Sequence, residues 1–404
     1  MTGDILLHLL LALAAVIAVG RLLARLLVGV GQPPVIGEVA AGVLLGPSLI
    51  GATMSARILP PDVAPALAVV AQLGVILYMF IIGLDLHLDE LKGRARATVA
   101  TSLAGIVVPF ALGAALSWSL YPRVSHPGVP FGTFALFMGV AMSITAFPVL
   151  ARLLADWGLT RTPLGVLALS AAAVDDVVAW CLLAFVVGVA QAEQGEALRV
   201  AAGAALYAAF MLLVARPLLG RYVSRWDPSS PYAIAAVLVA LLLSAAATEA
   251  IGIHAIFGAF VLGAIVPHDS PVARALGHQM RDLVGILLLP AFFAFTGMRT
   301  RIDLLSGASD WTLCAIIIVV ATAGKFSGAF FAARWSGIAR REAAMLGALM
   351  NTRGLMELIV LNIGLELGII SPRLFAMMVL MALATTMSTA PLLKALGGRA
   401  TVSV

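Results

Sequence analysis

Charge is scarce in this chain: lysine, arginine, aspartate and glutamate together make only 11% of its 404 residues. Hydrophobic residues make 62%, and the mean hydropathy is +1.08. A water-soluble protein of this length cannot cover that much apolar surface, so the composition excludes a soluble globular domain and points to an all-α polytopic membrane protein. Cysteine is nearly absent. Cys181 and Cys314 both lie within apolar runs, which leaves no disulfide framework and no cysteine-based zinc site. The amino terminus, MTGDILLHLLLALAAV, has no basic segment ahead of its apolar run, so it reads as a retained helix and not a secretory signal. Nor is there a basic cluster. The net charge is +5, but the basic residues are scattered through short loops, which argues against a nucleic-acid surface.

What is present is a succession of apolar segments. Hydropathy places thirteen of them near 4–26, 33–50, 64–86, 97–119, 131–155, 163–190, 197–217, 232–250, 252–267, 284–299, 311–335, 342–366 and 372–396, judged against the ~20 residues that span a bilayer. With the amino terminus outside, 17 basic residues fall in cytoplasmic loops and ends and 6 in outer loops. That asymmetry predicts an outer amino terminus and a cytoplasmic carboxyl terminus. Lys325 and Arg353 complete the basic set, and both lie within spans.

The two halves echo each other. GEVAAGVLLGP from Gly37 matches GAFVLGAIVP from Gly258, each with glycines five apart and a trailing proline. FIIGLDLHLDEL from Phe80 matches FAFTGMRTRIDLL from Phe293. Each half then has a span interrupted by helix breakers, SITAFPVLARLL around Pro148 and MNTRGLMELIV around Gly354. The offsets are about 221, 214 and 207 residues. One span, near 197–217, separates the halves and inverts the second copy, the arrangement found in secondary transporters with broken helices. Ordinary kinked helices are the structural alternative, since proline and glycine are common in membrane spans.

Within the spans ionisable residues are few: Asp175 and Asp176 in SAAAVDDVVAW, Lys325, Arg353 with Glu357, and Glu38 near a helix end. A carboxylate at the bilayer centre costs about 2.5–3.5 kcal/mol or more, so two adjacent ones need a reason. Consecutive helical residues project about 100° apart, which gives the two acids separate partners. One can pair with a buried cation, for which Lys325 is the available lysine, and the other can face a cavity. Gly324 and Gly328 allow close helix approach beside that lysine. Arg353 and Glu357, four apart, share a helix face and can neutralise one another, a structural role beside the broken span. Glu38 reads as a snorkelling acid, and His254 as an interfacial histidine. Two enzyme classes fail on missing parts. DDVVA lacks the third acid of a DDxxD magnesium cluster, and an aspartyl protease needs its acids on facing helices.

AMSITAFPVLARLL, AAAVDDVVAW, GIHAIFGAFVLGAIVP, LLLPAFFAFTGMRT and MNTRGLMELIVLNIGLELGIISPRLFAMMVLMAL together resemble the monovalent cation:proton antiporters, nearest their second family with its sodium/proton and potassium/proton exchangers. The resemblance runs from about Gln32 to Leu393. It implies thirteen helices in inverted repeats, with two discontinuous helices crossing beside the acid pair. It further implies a dimerisation part (residues 1–96 and 227–299), a core (97–190 and 300–404), a linker helix in 191–226, and a homodimer in a bacterial inner membrane. Asp176 matches the family's ion- and proton-binding carboxylate, the ligand for Na+ or K+. Asp175 matches its partner, paired with Lys325. Thr145 and Pro148 fall in the first broken segment, and Asn351, Thr352, Arg353 and Gly354 in the second. No enzyme activity and no cofactor are implied. The chain ends shortly after its last span, so no soluble carboxyl-terminal regulatory domain is expected. One carboxylate that holds either a proton or a hard cation suffices for exchange when access alternates, because burial disfavours its ionised form and a nearby ammonium favours it. Export of an organic ion on the same scaffold, or a channel or sensor without coupled exchange, remains open at this stage.

Overall fold

The computed structural model describes residues 3–29, 31–85, 95–191, 197–222, 230–267 and 270–397. Among these, Lys92, Arg94, Arg225 and Arg399, four of the basic residues used to orient the chain, are not included. The described residues are helical, with one isolated antiparallel bridge, Ser125 to Ile370.

The chain opens with α1 (Gly3–Gly29), α2 (Pro34–Leu45), α3 (Pro47–Ile50), α4 (Ala52–Ile58), α5 (Ala64–Leu84) and α6 (Ala95–Val124). It continues with α7 (Phe131–Ser143), α8 (Phe147–Asp156), α9 (Pro163–Gln191), α10 (Ala197–Phe210), α11 (Arg216–Tyr222), α12 (Pro231–Ile251) and α13 (Ala255–Ile265). The last six are α14 (Pro271–Leu283), α15 (Leu289–Arg299), α16 (Ala308–Trp335), α17 (Arg340–Met350), α18 (Leu355–Glu366) and α19 (Pro372–Ala395). Helix starts follow proline, which loses nothing in a first turn: Pro34, Pro163, Pro231, Pro271 and Pro372 each begin one. Ser270 and Ser371 add caps, their hydroxyls accepting from Ala273 N at 3.2 Å and Leu374 N at 3.3 Å.

Two π turns carry helices past a proline. Met211–Ala215 joins α10 to α11 ahead of Pro217, and Val284–Leu288 joins α14 to α15 ahead of Pro290. A proline ring clashes with the carbonyl four residues back, and widening the preceding turn relieves that clash without ending the helix.

Ten helical runs among the described residues are long and apolar enough to cross a bilayer, and eleven when the bent pair α17–α18 counts as one. The segments expected at 33–50 and 252–267 form short apolar helices, α2 of 12 residues and α13 of 11. At 1.5 Å per residue each is about 16–18 Å long, against a hydrocarbon core of about 30 Å. Large apolar side chains such as Leu206, Leu213, Val319 and Phe331 are exposed, as lipid-facing residues are. The protein is an integral membrane protein.

The chain forms two compact units. The first comprises Met1–Ile17, Ile58–Leu88 and Ala184–Phe295. Its centre is the crossing of α5 and α13, where Gly83 lies against the Phe260 carbonyl and Gly263 against the Phe80 carbonyl. The second comprises Ala18–Arg57, Asp89–Leu183 and Thr296–Val404. Residues 18–57 group with the second unit through close packing. Gly37 of α2 sits on the backbone of Ala24, and Gly297 of α15 sits on the Gly42 carbonyl. Ser48 Oγ donates to the Thr300 carbonyl at 2.7 Å. The apolar core of the second unit gathers Leu150, Leu154, Leu167, Ala171, Ala329 and Leu346 around α8, α9, α16 and α17.

Candidate functional site

The site is built on two interrupted helices of the second unit. α7 stops at Ser143, and Ile144 and Ala146 are extended before α8 starts at Phe147. Pro148 occupies the first turn of α8, where it is tolerated, whereas inside one continuous helix it would break a hydrogen bond. α17 stops at Met350, and Asn351, Thr352, Arg353 and Gly354 lead into α18 with a bend of 43°.

The two breaks touch. Ala146 N donates to the Thr352 carbonyl at 3.0 Å. The Thr145 hydroxyl lies 3.3 Å from the Met350 carbonyl, and a Cβ on Gly354 would press on Val149. Thr386 of α19 clips the second break: its hydroxyl accepts from Arg353 N at 2.8 Å and donates to the Arg353 carbonyl at 2.6 Å.

A helix end in the membrane leaves carbonyls without partners, and each must be satisfied inside the protein. All four at the end of α7 are satisfied. Val140 O accepts from the Ser143 hydroxyl at 2.8 Å. Ala141 O and Met142 O accept from Arg353 Nη1 and Nη2 at 2.9 and 2.6 Å. Ser143 O accepts from Lys325 Nζ at 2.5 Å. Two buried cations thus sit at the negative end of a helix dipole, where positive charge is favoured. Arg353 is fully buried, and its Nη1 also meets Glu357 Oε2 at 2.9 Å. Besides meeting Glu357, Arg353 caps a helix some 210 residues earlier.

Asp175 and Asp176, in α9, have different surroundings. Asp175 is fully buried and held on both oxygens. Oδ1 accepts from Ser102 Oγ of α6 at 2.6 Å, and Oδ2 accepts from Thr145 Oγ1 and Lys325 Nζ, each at 2.8 Å. Lys325 spends its three ammonium hydrogens on Asp175 Oδ2, the Ser143 carbonyl and, at 2.9 Å, the Gly105 carbonyl. α16 reaches α6 closely enough for this because a Cβ on Gly324 would press on Pro109 and one on Gly328 would strike the Ala104 carbonyl. Asp176 is 4% exposed, and its Oδ1 has no hydrogen-bond partner among the described residues. One acid is locked and its neighbour is available.

The structure therefore brings together Thr145, Asp175 and Lys325, and joins to them the backbone around Asn351, Thr352 and Arg353. Glu38 lies 3.5 Å from Arg21, and His254 stands at the start of α13 in the first unit. Ser102, Thr386 and the Gly105 and Ser143 carbonyls are partners that sequence reasoning did not name. Ser102 left a faint signal as a polar residue inside an apolar span; the others left none. Among the described residues no group of three His, Cys, Asp or Glu side chains is arranged to hold a metal ion.

With this geometry in hand, comparison with known proteins gives a consistent result. The profile of the family described as sodium/hydrogen exchanger, transmembrane, matches residues 10–395. The chain is 42% identical over 401 residues to the Na(+)/H(+) antiporter NhaS4 of Synechocystis sp., covering 97% of this chain and 98% of that one. It is 40% identical over 403 residues to Cation/H(+) antiporter 20 of Arabidopsis thaliana, covering 95% of this chain and 48% of the plant protein. The chain thus spans about half the length of that relative. The sodium proton antiporter MjNhaP1 of Methanocaldococcus jannaschii, solved at pH 8, superposes with a TM-score of 0.71 over 98% of each chain. At 14% identity that likeness speaks for the fold alone. From its sequence profile and its relatives, the chain belongs to the sodium/hydrogen exchanger family of transmembrane proteins.

Proposed function

We propose that this protein is a secondary transporter that exchanges a monovalent cation, Na+ or K+, for protons by alternating access, with cation and proton competing for Asp176. The observation that carries the reading is the unequal treatment of two adjacent acids. Asp175 has three donors, one of them the Lys325 ammonium. Asp176 has a buried oxygen without a partner among the described residues, which an ion or a proton would satisfy. A carboxylate binds a hard cation or a proton, and each excludes the other. The names of the Synechocystis and Arabidopsis relatives, a Na(+)/H(+) and a cation/H(+) antiporter, agree with cation:proton exchange as the activity.

Alternating access calls for two parts that move against each other. On this reading the second unit, which holds every residue of the site, is the translocating core, and the first unit is the dimerisation part of a homodimer. An inverted repeat of thirteen helices is supported by matched crossings. α2 and α13 carry the echoed glycine pairs, and α5 and α15 carry the echoed Gly83 and Gly297. Gly83 of α5 packs on α13, and Gly297 of α15 packs on α2. Each partner of one half has its counterpart from the other, as a pseudo-two-fold axis in the membrane plane requires. The basic-residue asymmetry puts the amino terminus outside and the carboxyl terminus in the cytoplasm.

The test is exchange by purified protein in liposomes with an internal pH dye, challenged with Na+, K+ and Li+ in turn. Asp176→Asn keeps shape and hydrogen bonding but cannot ionise, and is expected to abolish cation-dependent proton movement. Asp175→Asn is expected to be milder, altering the pH dependence. Normal exchange by Asp176→Asn would remove it as the carrier. No pH response from the wild-type protein to any of the three cations would move the reading to an organic-ion exporter or a channel.

A further inference from the structure

Asn351 is 1% exposed, and neither its Oδ1 nor its Nδ2 has a hydrogen-bond partner among the described residues. A buried primary amide with nothing to bind carries its whole desolvation penalty, so a native site retains one only where something else completes it. Capping does not explain it. Asn351 follows the last residue of α17, but it is the backbone N–H that meets the Ala348 carbonyl, and the side chain is left over.

The neighbouring groups lead to the acid pair. The carbonyls on either side of Asn351 are those that hold the first break: Met350 O faces the Thr145 hydroxyl, and Thr352 O accepts from Ala146 N. Thr145 in turn donates to Asp175. Two more buried oxygens without hydrogen-bond partners among the described residues are Asp176 Oδ1, next in sequence to Asp175, and Thr101 Oγ1, next in sequence to Ser102, which holds Asp175. The cations at hand do not bond these groups: Lys325 is spent on Asp175 and two carbonyls, the terminal nitrogens of Arg353 on Ala141, Met142 and Glu357, and Arg353 Nε has no hydrogen-bond partner among the described residues. A carboxylate oxygen, a hydroxyl and a carboxamide are left without protein partners among the described residues, and carboxylate and carboxamide oxygens are both ligands that a hard cation takes.

We propose that Asn351 is a ligand of the transported cation, its Oδ1 supplying a neutral oxygen to an ion held by Asp176 and thereby setting which monovalent cation is preferred. The proposal rests on the exchange reading given above. Hard cations such as Na+ and K+ take oxygen ligands, and the number and field strength of those oxygens discriminate between ions of equal charge. An amide suits this task better than an acid, because a third carboxylate would bind a further proton. It suits it better than an apolar side chain, which offers no lone pair.

Asn351→Leu keeps the shape and removes the oxygen. Purified protein would be examined in liposomes for the apparent KM and the order of Na+, K+ and Li+, and in detergent for melting with and without each cation. The expected result is a melting temperature in cation-free buffer at or above that of the wild type, because leucine relieves the unsatisfied amide. The rise in melting temperature caused by the cation should disappear, and KM should increase about tenfold or more, the size of one lost polar contact. Asn351→Ala, which leaves room for a water oxygen, is expected to be intermediate in KM and to change the order of the ions. Wild-type KM and ion order in Asn351→Leu would overturn the proposal. So would lowered melting of both variants without cation, which would make Asn351 a structural residue. Absence of cation-driven proton movement by the wild-type protein would instead remove the exchange reading itself, and this assignment with it.

Discussion

Replacing Lys325 with methionine tests the electrostatic logic of the site most directly. Methionine matches the aliphatic stem, so the change removes the ammonium and little packing. Three contacts vanish, to Asp175 Oδ2, the Ser143 carbonyl and the Gly105 carbonyl, all inside a region of zero exposure. Breaking a buried ion pair by removing one partner costs about 3–5 kcal/mol, because the other charge stays behind. Each of the two orphaned carbonyls adds about 1–3 kcal/mol. Asp175 keeps its hydroxyl donors Ser102 and Thr145, which puts the total nearer about 5 than about 11 kcal/mol, estimated from the same ranges. Adding Asp175→Asn removes the abandoned charge, while the amide oxygen still accepts from those hydroxyls. The double variant should therefore recover about 2 kcal/mol relative to the sum of the single changes, within the range of coupling between contacting residues. The assay is melting of purified protein in detergent for wild type, both single variants and the double, at matched lipid and salt. Strictly additive losses would refute direct coupling between Lys325 and Asp175.

Arg353→Met should be more damaging than Glu357→Gln, by roughly 2 kcal/mol or more, since it leaves the Ala141 and Met142 carbonyls unpaired as well as a buried carboxylate; equal melting temperatures would refute the helix-end role of Arg353. Gly328→Leu should cost about 1–3 kcal/mol by forcing α16 off the Ala104 carbonyl, whereas Gly132→Ala, with open space around it, should be neutral or stabilising in the same melt. In a background without Cys181 and Cys314, an impermeant thiol reagent should label Ser125→Cys from outside and Ser336→Cys only from the cytoplasmic side; equal labelling of both from outside would sink the proposed orientation.

Much of the architecture can be read from residues whose cost is local. A carboxylate pair in an apolar helix, a lysine between two glycines, and a proline or glycine inside a span each violate a rule of the bilayer, and so each stands out in one dimension. Features that depend on where a helix ends relative to its neighbours do not. Hydropathy reports apolar content, not regular length, so α2 and α13 appeared as ordinary spans although glycine, proline and histidine cut them to about three turns. Ser102 and Thr386 stand beside other hydroxyls, Thr101 and Thr385, in apolar runs, and nothing local distinguishes a hydroxyl that holds an acid or a helix break from one that bonds its own helix.

The four carbonyls at the end of α7 also bear on how the chain is made. Two of the three side chains that satisfy them lie far downstream, 182 residues on for Lys325 and 211 to 212 for Arg353. At about 5–20 residues per second, synthesis reaches those side chains roughly 10–40 s after α7 has emerged. Throughout that interval the broken end has to be served by water, which the hydrocarbon core does not supply. The α7–α8 segment is therefore held near water or inside the insertion machinery until the last quarter of the protein arrives, and closure of the site is a late step of assembly.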